Sequence, residues 1–187
     1  MKKTIAILLV LAIVLTGAFA ALVTPTASNA TVTLNGSVGP VLIHGLSDTT
    51  MNVSAIKSPA AYNPSASSTK DLFDADGVKA NVTVFYSYMT NWKGTVTATA
   101  TFDPLASASA TVTTKVGYTV KIGNDTTNVA STGSKIEVKL FDAVTTGTTG
   151  FAGDEKQLVF NAVEADYLAA AAADDYTATV TFTIAAN

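Results

Sequence analysis

Hydrophobic and polar positions alternate strictly along Tyr176-Thr-Ala-Thr-Val-Thr-Phe-Thr-Ile184, with Tyr176, Ala178, Val180, Phe182 and Ile184 on one face and Thr177, Thr179, Thr181 and Thr183 on the other. A period of two places alternate side chains on opposite faces of a β-strand, one face on a core and the other in water. Thr95-Val-Thr-Ala-Thr-Ala-Thr-Phe102 repeats the device. Further strands are predicted over Ala30–Val38, Val41–Ile43, Met51–Ile56, Val78–Met89, Ala110–Ile122, Ser134–Phe141 and Leu158–Phe160, where β-branched and aromatic residues gather between turn residues.

The segments between them are punctuation. Lys57–Gly77 is rich in Ser, Ala, Pro and Asp and reads as a long loop; Thr90–Gly94, Gly123–Thr126 and Thr145–Asp154 read as turns or loops. Glu164–Ala173, with Tyr167, Leu168 and a run of alanines, is the one helix expected. About eight short strands without strand–helix alternation predict an all-β, antiparallel sandwich with one short helix near the C-terminus. The Thr-x-Thr strands recur at no fixed period, which argues against a solenoid.

The first residues change the picture of where this domain works. Met1-Lys2-Lys3, the apolar run Ile5–Leu15 and the exit Ala18-Phe-Ala20 predict a secretory signal peptide over 1–20, with a second small-residue exit at Ser28-Asn-Ala30. The apolar run is shorter than the ~20 residues of a spanning helix. A flexible leader over 21–30 and a domain over 31–187 would follow, without a transmembrane anchor in the mature chain. That chain is secreted in this reading, to the cell surface or extracellular matrix. About 160 residues suffice for a single core.

Composition removes several functions. There is no cysteine, so an exported domain must be held by packing and strand ladders. All eleven basic residues are lysines; two leave with the leader, and nine face fourteen carboxylates, a net charge of about −5. Without arginine, phosphate and nucleic-acid recognition are disfavoured.

Candidate chemistry is sparse. His44 is the only histidine and reads as a structural residue near a strand end, since one histidine cannot build a multi-His metal site. Asp71-Leu-Phe-Asp74-Ala-Asp76-Gly77 has the oxygen-ligand spacing of part of a calcium loop but lacks its closing Glu. A solvated turn is the expected reading, with calcium at Asp74 and Asp76 left open. Asp154-Glu155 and Asp174-Asp175 read as turn formers rather than acid–base pairs. Asn29, Asn35, Asn52, Asn81 and Asn124 head Asn-x-Ser/Thr triplets whose use depends on the host. Thr-x-Thr ladders can order water and bind ice, but Thr is also a soluble strand former, and that role is expected here. No catalytic constellation and no cofactor site are predicted, and the chain is not expected to be an enzyme.

Thr31-Val-Thr-Leu-Asn-Gly-Ser-Val38 resembles the opening of fimbrial subunits of the chaperone–usher and spore-coat-U-like kind. Like this chain, those subunits end in an alternating strand. Asp174-Asp-Tyr176 is similar to the lead-in of immunoglobulin-like sandwiches, in which the tyrosine makes a corner contact. The absent cysteine pair departs from many chaperone–usher subunits, and in composition the chain also resembles the cysteine-free matrix-fibre and camelysin-like proteins. Both resemblances imply an immunoglobulin-like sandwich whose open edge accepts a neighbour's N-terminal strand, here 30–38, with Val32, Leu34 and Val38 as plugs and Gly36 allowing close approach. The function implied is a structural subunit of a pilus or matrix fibre, a homopolymer. The alternative is a monomeric adhesive or carbohydrate-binding sandwich for a surface glycan or protein receptor, with Trp92, Tyr86, Tyr88 and Tyr62 as stacking residues.

Overall fold

The structure is a computed structural model that describes residues 39–145 and 150–187, except Lys57, Ala75 and Asp174 and the side chains of 142–145. The expected signal peptide, the leader and the 30–38 strand with Val32, Leu34, Gly36 and Val38 lie outside the described residues.

Two antiparallel sheets face each other. The larger runs in the order β1 (Leu42–Ser47), β4 (Val82–Thr90), β11 (Ala152–Ala162), β8 (Tyr118–Ile122) and β9 (Asp125–Val129). The smaller runs β10 (Ile136–Thr145), β5 (Thr95–Phe102) and β12 (Val180–Ala186). Two short ribbons, β2 (Phe73–Asp74) with β3 (Gly77–Val78) and β6 (Leu105–Ala106) with β7 (Lys115–Val116), edge the sandwich. The one α-helix among the described residues, α1 (Glu164–Ala169), lies between β11 and β12. The sequence-based expectation of an all-β sandwich with one short helix near the C-terminus describes this arrangement.

Alternation explains the core. Val96, Ala98, Ala100 and Phe102 of β5 are buried, while Thr95, Thr97, Thr99 and Thr101 on its other face are not. Small alanines at the centre of β5 leave room for rings from the facing sheet. Tyr86 and Tyr88 of β4 reach Phe141 of β10, with ring centroids 6.1 and 5.0 Å apart, and Phe160 of β11 lies 6.3 Å from Phe102. Each such fully buried side chain contributes about 1.5–3 kcal/mol.

β4 is buried on both faces. Its outer face carries Ser87 and Met89, covered by Val53 and Tyr62, and the Tyr62 hydroxyl lies 2.8 Å from Ser87 Oγ. The strand expected over Met51–Ile56 is instead a 3-10 turn at Val53–Ala55, entered through Asn52 in the left-handed region at φ 48°. This turn seats against β11 because Gly153 lacks a side chain: a Cβ there would fall 2.3 Å from Val53 Cγ1. Other boundaries move as well. Ala110–Thr114 is not strand, β11 begins at Ala152 within the expected loop, and Asp125–Val129 adds an edge strand where only a turn was expected. The helix ends at Ala169, and the last strand runs Val180–Ala186 rather than from Tyr176.

Candidate functional site

The feature that stands out is an incomplete edge. β12 pairs with β5 on one side, and among the described residues no strand pairs with its other side. Tyr86 of β4 stacks on Phe182 of β12 with centroids 4.7 Å apart, so β12 lies over β4 and β1 has no strand opposite it in the smaller sheet. The result is an open slot. β12 forms its side and β1 its floor.

The floor is set by alternation in β1. Leu42, His44 and Leu46 oppose Thr90, Tyr88 and Tyr86 of β4 and share the inward face. Leu42 is 36 % exposed and His44 is also exposed, although both point toward the interior side of their sheet. Val180, Phe182 and Ile184 of β12 are likewise only half-buried. The alternation of the last strand is therefore as expected, but its apolar face is not fully covered, because the sheet stops there.

A cavity of about 520 Å³ occupies the slot, lined by His44, Leu46, Tyr86, Ala178, Val180 and Phe182, with Ala66–Ser68 at one end. A second cavity of about 290 Å³ shares Leu46, Ala178 and Val180 and continues inward to Val84, Tyr118 and Phe160. The end formed by Ala66–Ser68 is pinned by a backbone bridge, in which Leu46 N–H donates to Ser65 O and Ser65 N–H to Leu46 O, both at 2.8 Å. Gly45 permits this, since a Cβ there would fall 2.5 Å from Ser65 O.

Among the polar residues of the slot, which include Ser67, Ser68, Thr179 and Thr181, His44 is the one that ordinarily titrates near neutral pH. Its Nδ1 lies 3.1 Å from the Tyr86 hydroxyl, and its ring meets the Tyr86 ring edge-on at 5.8 Å. Partial desolvation against this neighbour lowers its pKa below the usual histidine value. It sits inside β1, not near a strand end after Pro40 as the sequence suggested. The sequence signal for the slot was Leu42-x-His44-x-Leu46, a short alternation.

The remaining candidates are spread over the surface. Asp74 Oδ1 accepts from the Asp76 N–H at 2.9 Å, and Asp74 Oδ2 lies 3.0 Å from Lys79 Nζ. The Lys79 ammonium holds the Asp74 carboxyl below its ordinary value. Among the described residues no group of three or more His, Cys, Asp or Glu is arranged to hold a metal. Glu155 accepts from Met51 N–H at 2.7 Å and from the Thr50 hydroxyl, while Asp175 Oδ2 accepts from Ala108 N–H at 3.1 Å. Tyr176 donates its hydroxyl to Ala171 O at 3.0 Å and lies 2.9 Å from Thr114 Oγ1, which in turn accepts from Ala171 N–H. It also lines a cavity of about 540 Å³ beside α1 with Phe73, Asp74 and Tyr167. Of the four aromatic residues expected to stack on a sugar, Tyr62, Tyr86 and Tyr88 are core side chains at 3, 0 and 1 % exposure. Trp92 is half-buried and donates Nε1–H to Asn187 O at 3.1 Å. These four do not form a shared exposed platform.

No helix among the described residues is long and apolar enough to cross a membrane. No protein-family model and no curated protein matches the chain.

Proposed function

We propose that this chain is a secreted structural subunit of an extracellular filament, assembled by donation of the N-terminal strand 30–38 into the slot of another copy. The observation that carries this reading is the edge of β12, unpaired among the described residues, beside the exposed Leu42 and His44 and the half-buried Leu46. An edge strand offers a row of backbone donors and acceptors to an incoming strand, and alternate side chains fill the pockets behind it.

The fit has a direction. The described chain starts at Gly39, whose carbonyl accepts from Asn91 Nδ2 at 2.9 Å, at the β4–β5 turn. β12 ends there too, with Asn187 and Thr95 exchanging N–H···O bonds of 2.9 Å. A donor antiparallel to β12 would leave the slot at its opposite end, so that the domains repeat head to tail. One such register pairs Val38 with Val180, Gly36 with Phe182, Leu34 with Ile184 and Val32 with Ala186. The residue without a side chain then lies beside the ring, and three apolar plugs lie beside aliphatic neighbours.

The test is Leu34→Asp in the full chain. An unpaired carboxylate in an apolar slot costs several kcal/mol, so polymers should disappear from negative-stain images while the circular dichroism of a β protein remains. Filaments of normal length from this variant would remove strand donation, and a monomeric adhesive sandwich would become the better reading.

A further inference from the structure

We propose that His44 makes strand capture acid-labile, with the slot accepting a donated strand when its imidazole is neutral and releasing it when the ring is protonated. This rests on reading the slot as a strand acceptor.

The geometry places the imidazole where the incoming strand must lie. His44 projects from β1 toward the interior side of the sandwich, yet it is exposed, and among the described residues no strand of the smaller sheet lies opposite β1. A strand paired to β12 would lie over it, with Gly36 beside Phe182 in the register above and the apolar Leu34 and Val38 on either side. The neutral ring suits such a cover: with its hydrogen on Nε2, Nδ1 accepts the Tyr86 hydroxyl. Protonation turns Nδ1 into a donor, reverses that hydrogen bond onto the Tyr86 oxygen and places a charge under the covering strand.

Among the described residues lining the slot none carries a negative charge to compensate it. From β4 it faces Tyr86 and Tyr88, both neutral phenols held up by burial. From β12 it faces Phe182 and its aliphatic and threonine neighbours, and from the loop at the slot's end Ala66, Ser67 and Ser68. The nearest carboxylate along the ladder is Asp154, one strand beyond Tyr88. Past the end of β1, Asp48 is paired with Lys70 at 2.8 Å.

The sign follows from linkage. Covering the ring depresses its pKa further, so capture expels a proton. Affinity is then independent of pH above the pKa of the open slot. Below it, affinity falls about tenfold per pH unit until the pKa of the filled slot is reached. His44 is the only histidine, and the carboxylates ordinarily titrate near pH 4, so the window between about pH 7 and about pH 5 belongs to this residue.

The experiment compares polymerisation of the full chain at about pH 7.5 and about pH 5, by light scattering and negative-stain microscopy. Wild type, His44→Gln and His44→Phe would be compared. The wild-type critical concentration should rise several-fold on acidification, and both variants should polymerise equally at the two pH values. An unchanged wild-type critical concentration overturns the proposal, as does the same acid sensitivity in both variants; in either case strand donation itself stands. Absence of polymer at every pH removes strand donation and the switch with it. Should both variants misfold, the single histidine resonance of wild type decides by NMR titration. Its pKa should be lower in polymer than in dissociated subunit, and equal values overturn the proposal.

Discussion

The Tyr86 ring lies stacked on Phe182, centroids 4.7 Å apart and planes inclined by 12°, and this contact joins the two sheets at the border of the slot. Tyr86 is fully buried, but Phe182 is only half-buried, since its far side faces the open edge. Phe182→Ala removes a large core ring and an aromatic pair and should cost about 2–4 kcal/mol. Thr183→Ala, one residue on and on the exposed face, should stay within about 0.5 kcal/mol. Urea midpoints of the two variants give the comparison, and equal shifts would mean that the facing of β12 is misassigned.

The direction of the donated strand can be read covalently, because the chain has no cysteine of its own. In the antiparallel register Ser37 lies opposite Thr181 on the outer face; in a parallel pairing of the same apolar residues it would lie opposite Ala185. Cross-strand Cβ atoms about 4.5–5.5 Å apart are close enough to bridge with small adjustment. The double variant Ser37→Cys, Thr181→Cys should give a ladder of disulfide-linked multimers on oxidation. Ser37→Cys, Ala185→Cys should give little. The reverse pattern would turn the donor around, and a cross-linked monomer would place the strand in its own slot.

The sequence showed the strands whose two faces differ most. β5 and β12 interleave Thr with apolar residues, so a period of two is unambiguous, and both occur as strands. β9 escaped because Asp125-Thr-Thr-Asn-Val129 carries few β-formers; it is an edge strand, stabilised by its ladder with β8. The first half of β11, with Gly153, Asp154 and Glu155, read as a loop for the same reason. Its pairing with β4 overrides local preference. Met51–Ile56 failed in the other direction, since its apolar residues cover the outer face of β4 as a turn instead of forming a strand. The slot was the least legible element. Leu42, His44 and Leu46 are three positions in a six-residue strand, and they mark an uncovered floor only once the facing sheet is known to stop at β12.

Four phenols should resist alkali. Desolvation pushes Tyr62 up to about 12 and raises Tyr86, Tyr88 and Tyr118 as well. In the unfolded chain each ionises near pH 10. The folded state therefore holds protons that the unfolded state has lost, and stability falls as pH rises above about 10. Each phenol withheld from ionisation contributes a slope of about 1.4 kcal/mol per pH unit. Phenolate absorbance should report these four of the six tyrosines only together with unfolding. Reversible ionisation of all six near pH 10 in the folded protein would show that the core is wetter than its packing implies.

The clamp that holds the 64–65 segment against β1 depends on Gly45. A methyl group there would meet Ser65 O at 2.5 Å and Pro64 Cβ at 2.9 Å, both on the segment bonded to Leu46. Gly45→Ala must therefore push that segment away from β1, at a cost of about 1–3 kcal/mol typical of overpacking. The amides of Leu46 and Ser65 should then exchange with solvent faster, since their mutual bonds open first. Gly39→Ala is the control: no atom lies within 4 Å of the added carbon, and its midpoint should move by less than about 0.5 kcal/mol. If Gly45→Ala leaves both the midpoint and those two exchange rates unchanged, the loop is not clamped to β1.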